Sequence, residues 1–257
     1  MATMISRAVI FFTAVCIFYA SGDIIAGSFR DDQQRYPRVR KARENTETFR
    51  NLILTEAEIS KDSLRIFIQA FKHEKVLELW GANCDTCDFK LLKIYYFTSS
   101  CGILGPKRAQ GDLQIPDGFY FIDRFNPASS YHLSLGINYP NKSDRIRTVA
   151  ANPGGDIFIH GNRVTIGCIP IGNSNIESLY IFAVDASDAG QEKIQVHIYP
   201  SRFDDPENSE ILKKYRTRSP SNKKLWAELE EGYNYFKKHK FPPKFIINDT
   251  GEYIIAY

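Results

Sequence analysis

The 257-residue chain is expected to fold as an α+β protein, mainly β, built as an antiparallel β-sandwich or partly closed barrel with a few packing helices. Three observations predict this. Short runs of alternating apolar and polar residues recur between turn signals from Leu64 to Tyr199. Their apolar positions are filled by β-branched and aromatic residues, which suit a pleated surface. Helical spacing of apolar residues is confined to three segments, one before the strand-like runs, one near residue 180 and one near residue 230.

Arg7 precedes the apolar run Ala8 to Ala20. The run is short for a membrane-spanning helix, which needs ~20 residues. It fits the apolar stretch of a secretory signal, followed by small residues at Ala20-Ser21-Gly22 and Ala26-Gly27-Ser28. The alternative is an uncleaved N-terminal anchor, the one expected link to a membrane. Cys16 is a poor lipoprotein site, because Thr13 stands where a Leu-like residue is wanted. Phe29 to Glu44 is rich in Arg, Asp and Gln and is expected to be a mobile N-terminus. Phe49, Leu52, Ile53 and Ile59 then have roughly helical spacing and predict a short packing helix within residues 45–59.

Leu64 to Phe71 and Val76 to Trp80 alternate on either side of the polar break Lys72-His73-Glu74-Lys75, which predicts a hairpin with His73 in its turn. Further strands are expected at Lys90 to Phe97, Phe119 to Asp123, Tyr131 to Ile137 and Asp156 to His160. Ile176, Leu179, Tyr180 and Ala183 fit one face of a helix over residues 176–189, capped by Asn173 or Ser174. Val196 to Tyr199 reads as a buried strand with His197 structural. Leu225, Trp226, Leu229, Tyr233 and Phe236 form the packing face of a helix within residues 221–238, ended by Pro242-Pro243, and a last strand is expected at Tyr253 to Tyr257.

Charge is nearly balanced, at +3, with no concentrated basic stripe, which argues against a nucleic-acid partner. Apart from Cys16 there are four cysteines, Cys84, Cys87, Cys101 and Cys168. Pairing is expected in an oxidising compartment. Cys84 and Cys87 could close a local disulfide, or one of them could bridge to Cys101. A zinc site is disfavoured, since no second C-x-x-C accompanies the first and His73 is a weak ligand.

The chemistry concentrates in Ile157-Phe-Ile-His160-Gly161-Asn-Arg-Val-Thr165-Ile-Gly167-Cys168-Ile-Pro170-Ile171. A thiol becomes nucleophilic when a nearby base takes its proton, and His suits that task near neutral pH. A lone Cys is more often a small buried hydrophobe; the flanking glycines and the Thr favour the reactive reading. Cys168 is the candidate nucleophile and His160 the candidate general base. Gly161 lets the chain turn away from the ring. Gly167 allows close approach of substrate, and the N–H groups of Gly167 and Cys168 are candidate oxyanion donors. Thr165 could orient the loop, bond His160, or serve as a structural cap.

This stretch resembles the signature of the L,D-transpeptidase catalytic domain family (YkuD-type). Gly105-Pro106-Lys107-Arg108 with Gly111 to Tyr120, and Ser130 to Leu135 with Tyr139-Pro140-Asn141 and Asp144, resemble its YafK-like branch. The likeness covers roughly residues 64–199. Pro170 stands where many members carry Arg, and eight residues separate His160 from Cys168 where many have some fifteen; both features resemble the same branch. The resemblance implies a cysteine acyl transferase acting on peptidoglycan stem peptides, exported to the periplasm or cell envelope and needing no metal or cofactor. Cys168 would form a thioester, resolved by an amine of another stem or of a wall-anchored protein. Resolution by water would make it a murein hydrolase, amidase or L,D-carboxypeptidase with the same pair. It also suggests that His132, beside Tyr131, faces the cleft; a half-buried strand His is the alternative. A non-catalytic wall-binding module is the competing class, motivated by Pro170 and the aromatic C-terminal extension. The expected organisation is residues 1–27 as signal or anchor, 28–60 as an N-terminal segment with a short helix, 61–200 as the catalytic domain and 201–257 as a C-terminal helical extension.

Overall fold

The computed structural model describes residues 28–256. The expected signal or anchor at residues 1–27 lies outside them. Its chain order is α1 (Phe29–Gln34), α2 (Pro37–Glu56), β1 (Arg65–Phe71), β2 (Val76–Ala82), β3 (Lys90–Tyr96), β4 (Gly118–Asn126), β5 (Ser134–Ile137), α3 (Lys142–Arg147), β6 (Phe158–His160), β7 (Ile169–Pro170), α4 (Asn173–Asp188), β8 (Gln195–Tyr199), a 3-10 turn (Pro206–Asn208), α5 (Ser209–Arg218), α6 (Pro220–His239), β9 (Lys244–Ile247) and β10 (Tyr253–Ala256). Eight strands form one curled sheet in the order β3-β2-β1-β8-β4-β5-β6-β7, and β9 and β10 form a separate ribbon. Most pairs are antiparallel; β1 with β8 and β6 with β7 are parallel. The fold is α+β, a partly closed barrel with packing helices.

Strand periodicity explains why the central strands are buried almost throughout. In β1, Ile66, Ile68 and Ala70 enter one apolar cluster with α2 and α4. Phe67 and Phe71 point the other way, toward α6, where Phe71, Phe119 and Tyr199 meet Leu225, Trp226, Leu229 and Tyr233. The second face of the sheet is thus covered by residues 201–257, whose helix α6 was legible from its aromatic stripe. The hairpin predicted around His73 is present, with Phe71 opposite Val76. The local disulfide forms, Cys84 to Cys87 with Cα atoms 5.1 Å apart, in the loop between β2 and β3.

The expectation of a mobile segment over Phe29 to Glu44 is overturned. Those residues form α1 and the first half of α2, and α2 begins with Pro37 in its first turn. Val39, Ala42, Thr46, Arg50 and Leu54 make its buried face. The segment is anchored by charge: Asp185 of α4, 1 % exposed, receives Arg30 at 3.3 Å, Arg43 at 2.8 Å and Arg50 at 2.6 Å. Arginines that suggested solvent instead converge on one buried carboxylate. Among the described residues no helix is long and apolar enough to cross a membrane.

Candidate active site

β6 and β7 lie side by side in parallel, Ile159 opposite Ile169 and His160 opposite Pro170. Ile159 and Ile169 are fully buried in the core. Alternation then sends Phe158, His160 and Pro170, with Cys168 at the entry of β7, to the opposite face. His160 thus ends β6 and Cys168 immediately precedes the strand paired with it. Among the described residues no hydrogen bond joins them. The Phe158 N–H points at Cys168 Sγ (3.4 Å), and the thiol lies 3.5 Å from the Asp156 carbonyl.

His160 is 2 % exposed, and its ring lies 4.7 Å from that of Tyr131, which is itself exposed. Nδ1 donates to the Gly161 carbonyl at 2.5 Å. A carbonyl only accepts, so the neutral ring carries its proton on Nδ1 and leaves the Nε2 lone pair open. Burial pushes the imidazole below its usual range, partly offset by the Gly161 bond. Burial also pushes the Cys168 thiol up; the Phe158 N–H and Lys107 oppose that rise. Both shifts favour the neutral forms, so burial works against a preformed thiolate–imidazolium pair.

The turn after His160 is held from two sides. Thr98, two residues beyond β3, donates its hydroxyl to the carbonyls of Asn162 (2.9 Å) and Pro170 (3.2 Å), and its N–H to Pro170 (2.8 Å). Asn173 Oδ1 accepts the Asn162 N–H at 2.7 Å. Asn173 is thus not the cap of α4; Gly172, at φ 82°, occupies that position, and Asn173 turns back to the site. Gly161 is required sterically: a Cβ there would come within 2.6 Å of both Asn173 Oδ1 and the Tyr131 carbonyl.

Ahead of Cys168, Thr165 Oγ1 donates to the Cys168 carbonyl (2.8 Å) and accepts the Gly167 N–H (3.1 Å). Of the three readings for Thr165, loop orientation is the one observed. Its consequence corrects another expectation, since the Gly167 N–H is occupied and only the Cys168 N–H remains of the two suggested oxyanion donors. The space beside Gly167 is not open to substrate either. The residue sits at φ 136°, and a Cβ would lie 3.0 Å from the Gln114 carbonyl.

Gln114 belongs to the long loop between β3 and β4, which is pinned over the site. Lys72 Nζ reaches the carbonyls of Gly105 (2.5 Å) and Ile115 (2.7 Å) and Asp117 Oδ1 (2.8 Å). Lys107 pairs with Asp112 at 2.7 Å, and Asp112 also accepts the N–H groups of Arg108, Ala109 and Gln114.

His132 adjoins the turn after His160, its Cβ 3.0 Å from where a Cβ on Gly161 would stand. It lies at φ 75°, which breaks strand alternation, so the expected strand over Tyr131 to Ile137 begins only at Ser134. Its Nε2 meets Glu177 of α4 at 2.7 Å, and its carbonyl accepts from Arg38. Tyr131 does line the site. Sequence reasoning missed Thr98, Gln114 and Asn173 as site neighbours; only Asn173, close after Cys168, carried a local signal.

No family model matches the chain. A curated relative from Escherichia coli strain K12, named "Putative L,D-transpeptidase YafK", is 33% identical over 193 residues, 74% of each chain. Among solved structures, the helical cell shape determining protein Pgp2 from Campylobacter jejuni aligns over 73% of this chain and 74% of its own, at 21% identity and a TM-score of 0.43. Bd1075 from Bdellovibrio bacteriovorus aligns over 67% and 62%, at 18% identity and a TM-score of 0.38.

Proposed function

The chain belongs to the L,D-transpeptidase family, in its YafK-like branch, and from that membership we propose that it is an exported cysteine acyl transferase acting on peptidoglycan stem peptides. One arrangement supports the reading: His160 ends β6, Cys168 immediately precedes β7, which pairs with β6, and the Nδ1 bond to Gly161 leaves Nε2 available. Nε2 takes the Cys168 proton as the sulfur attacks the carbonyl before a terminal D-residue. The Cys168 N–H supports the oxyanion. The protonated imidazole then gives its proton to the leaving amine, and a thioester remains on Cys168. An incoming amine, from a second stem or a protein lysine, repeats the steps in reverse. Tyr131, its ring tilted against that of His160 and open to solvent, contributes a wall of the cleft. Residues 61–200 carry this chemistry, and residues 201–257 brace it from the far side of the sheet.

The test is intact-mass analysis of purified protein incubated with tetrapeptide muropeptides. An acyl adduct on Cys168, absent from Cys168→Ala, is expected, together with new cross-linked products. Turnover by Cys168→Ala at the parent rate would defeat the proposal. Release of the terminal residue with no new cross-link would move the assignment to hydrolysis.

A further inference from the structure

With Cys84 and Cys87 bonded to each other, the free thiols among the described residues are Cys101 and Cys168, both partly exposed. They stand on facing loops. Cys101 Sγ lies 4.0 Å from Thr165 Oγ1, the hydroxyl that bonds the Cys168 carbonyl at 2.8 Å. It also lies 3.1 Å from the carbonyl of Leu113, next to the Gln114 backbone that packs on Gly167. The two sulfurs are close enough for negative charge on Cys101 to raise the Cys168 thiol further. Cys101 is followed by Gly102 at φ 76°, in a stretch without helix or strand. The Ile103 N–H bonds the Gln114 side chain at 3.0 Å, and the anchors through Lys72 and Asp112 begin at Gly105. A bond between the two sulfurs requires residues 99–102 to bring the Cα atoms within disulfide range, ~4.4–6.8 Å.

We propose that Cys101 and Cys168 form a redox-modifiable thiol pair, converted by a disulfide-class oxidant into an intramolecular bond that covers the sulfur of Cys168. The thiolate of one cysteine attacks a sulfur of the oxidant R–S–S–R and displaces one R–S⁻, giving a mixed disulfide. The thiolate of the other attacks the protein sulfur of that mixed disulfide and displaces the second R–S⁻. Two electrons pass from the pair to the oxidant, and the two thiol protons end on the two released thiols. A chain exported to an oxidising compartment meets such oxidants. The closed form guards Cys168 against irreversible oxidation and requires a thiol reductant to reopen it. The pairing holds whether or not Cys168 carries an acyl group in catalysis.

The test treats the full chain with oxidised glutathione, quenches it with acid, and maps peptides without reduction. A linked pair of peptides containing Cys101 and Cys168, lost on adding dithiothreitol, is expected. In Cys101→Ser the same treatment is expected to leave glutathione on Cys168. Glutathione on both cysteines of the parent, or two free thiols while Cys101→Ser reacts at Cys168, would overturn the proposal. Because the readout is a bond rather than turnover, failure of the acyl-transfer reading leaves this result interpretable.

Discussion

Thr98 binds the Asn162 carbonyl at 2.9 Å, and with its second contact, to Pro170, one hydroxyl ties the turn after His160 to the strand after Cys168. The two candidate catalytic side chains sit on different strands, so a staple between those strands fixes their relative position. Thr98→Val keeps the shape and removes the donor. A stability loss of about 1 kcal/mol is expected from one hydrogen bond. Turnover should fall more than that, about tenfold, because small misplacements at a reacting pair are costly. Thr98→Ser should recover most of the rate. Equal rates for Thr98→Val and the parent would remove Thr98 from the positioning machinery.

The pH dependence of Cys168 alkylation follows from burial. Desolvation disfavours the thiolate and raises that thiol above its usual value, while it disfavours the imidazolium and lowers His160. Neither shift supports an ion pair at neutral pH. The rate of iodoacetamide reaction, followed on the peptide bearing Cys168, should still climb above pH ~8.5, the ordinary thiol midpoint. A plateau already reached at pH 7 would mean that His160 holds the sulfur as a thiolate in the resting protein.

Asp185 is the buried partner of three arginines from α1 and α2. Asp185→Asn leaves Arg50, itself 1 % exposed, without its counter-charge. Breaking such a pair from one side costs about 3–5 kcal/mol. A fall in thermal midpoint of about 10 °C is expected. Asp188→Asn, at the more open end of the same cluster, should cost far less. Similar midpoints for the two variants would show that the charge cluster does not anchor the N-terminal helices.

The parts of the site readable from sequence were those encoded locally. His160-Gly161 and Gly167-Cys168 lie within nine positions of each other and were legible as one local motif. Cys84 and Cys87 were readable for the same reason. The parts that were not readable depend on distant segments. Thr98 and Gln114 reach the site from the loop between β3 and β4; Gln114 lies in the block Gly111 to Tyr120 already singled out, but nothing there tied it to Gly167. The Gly167 N–H was assigned to substrate because the competing acceptor, Thr165 Oγ1, becomes visible only when the loop folds back on itself. For His132 the resemblance carried no sign of its left-handed backbone or of Glu177, 45 residues on, which takes its ring. Residues 29–44 read as mobile because the carboxylate that organises their arginines is some 140 residues further along the chain.

β8 hydrogen-bonds to β1 on one side and to β4 on the other, so within the sheet the first hairpin is joined to the strands beside His160 and Cys168 through β8. A nascent chain that has emerged only as far as α4 would present two unjoined sheet edges and no finished pocket. Assembly must wait for residue 199, a late and long-range closure of the kind that slows folding.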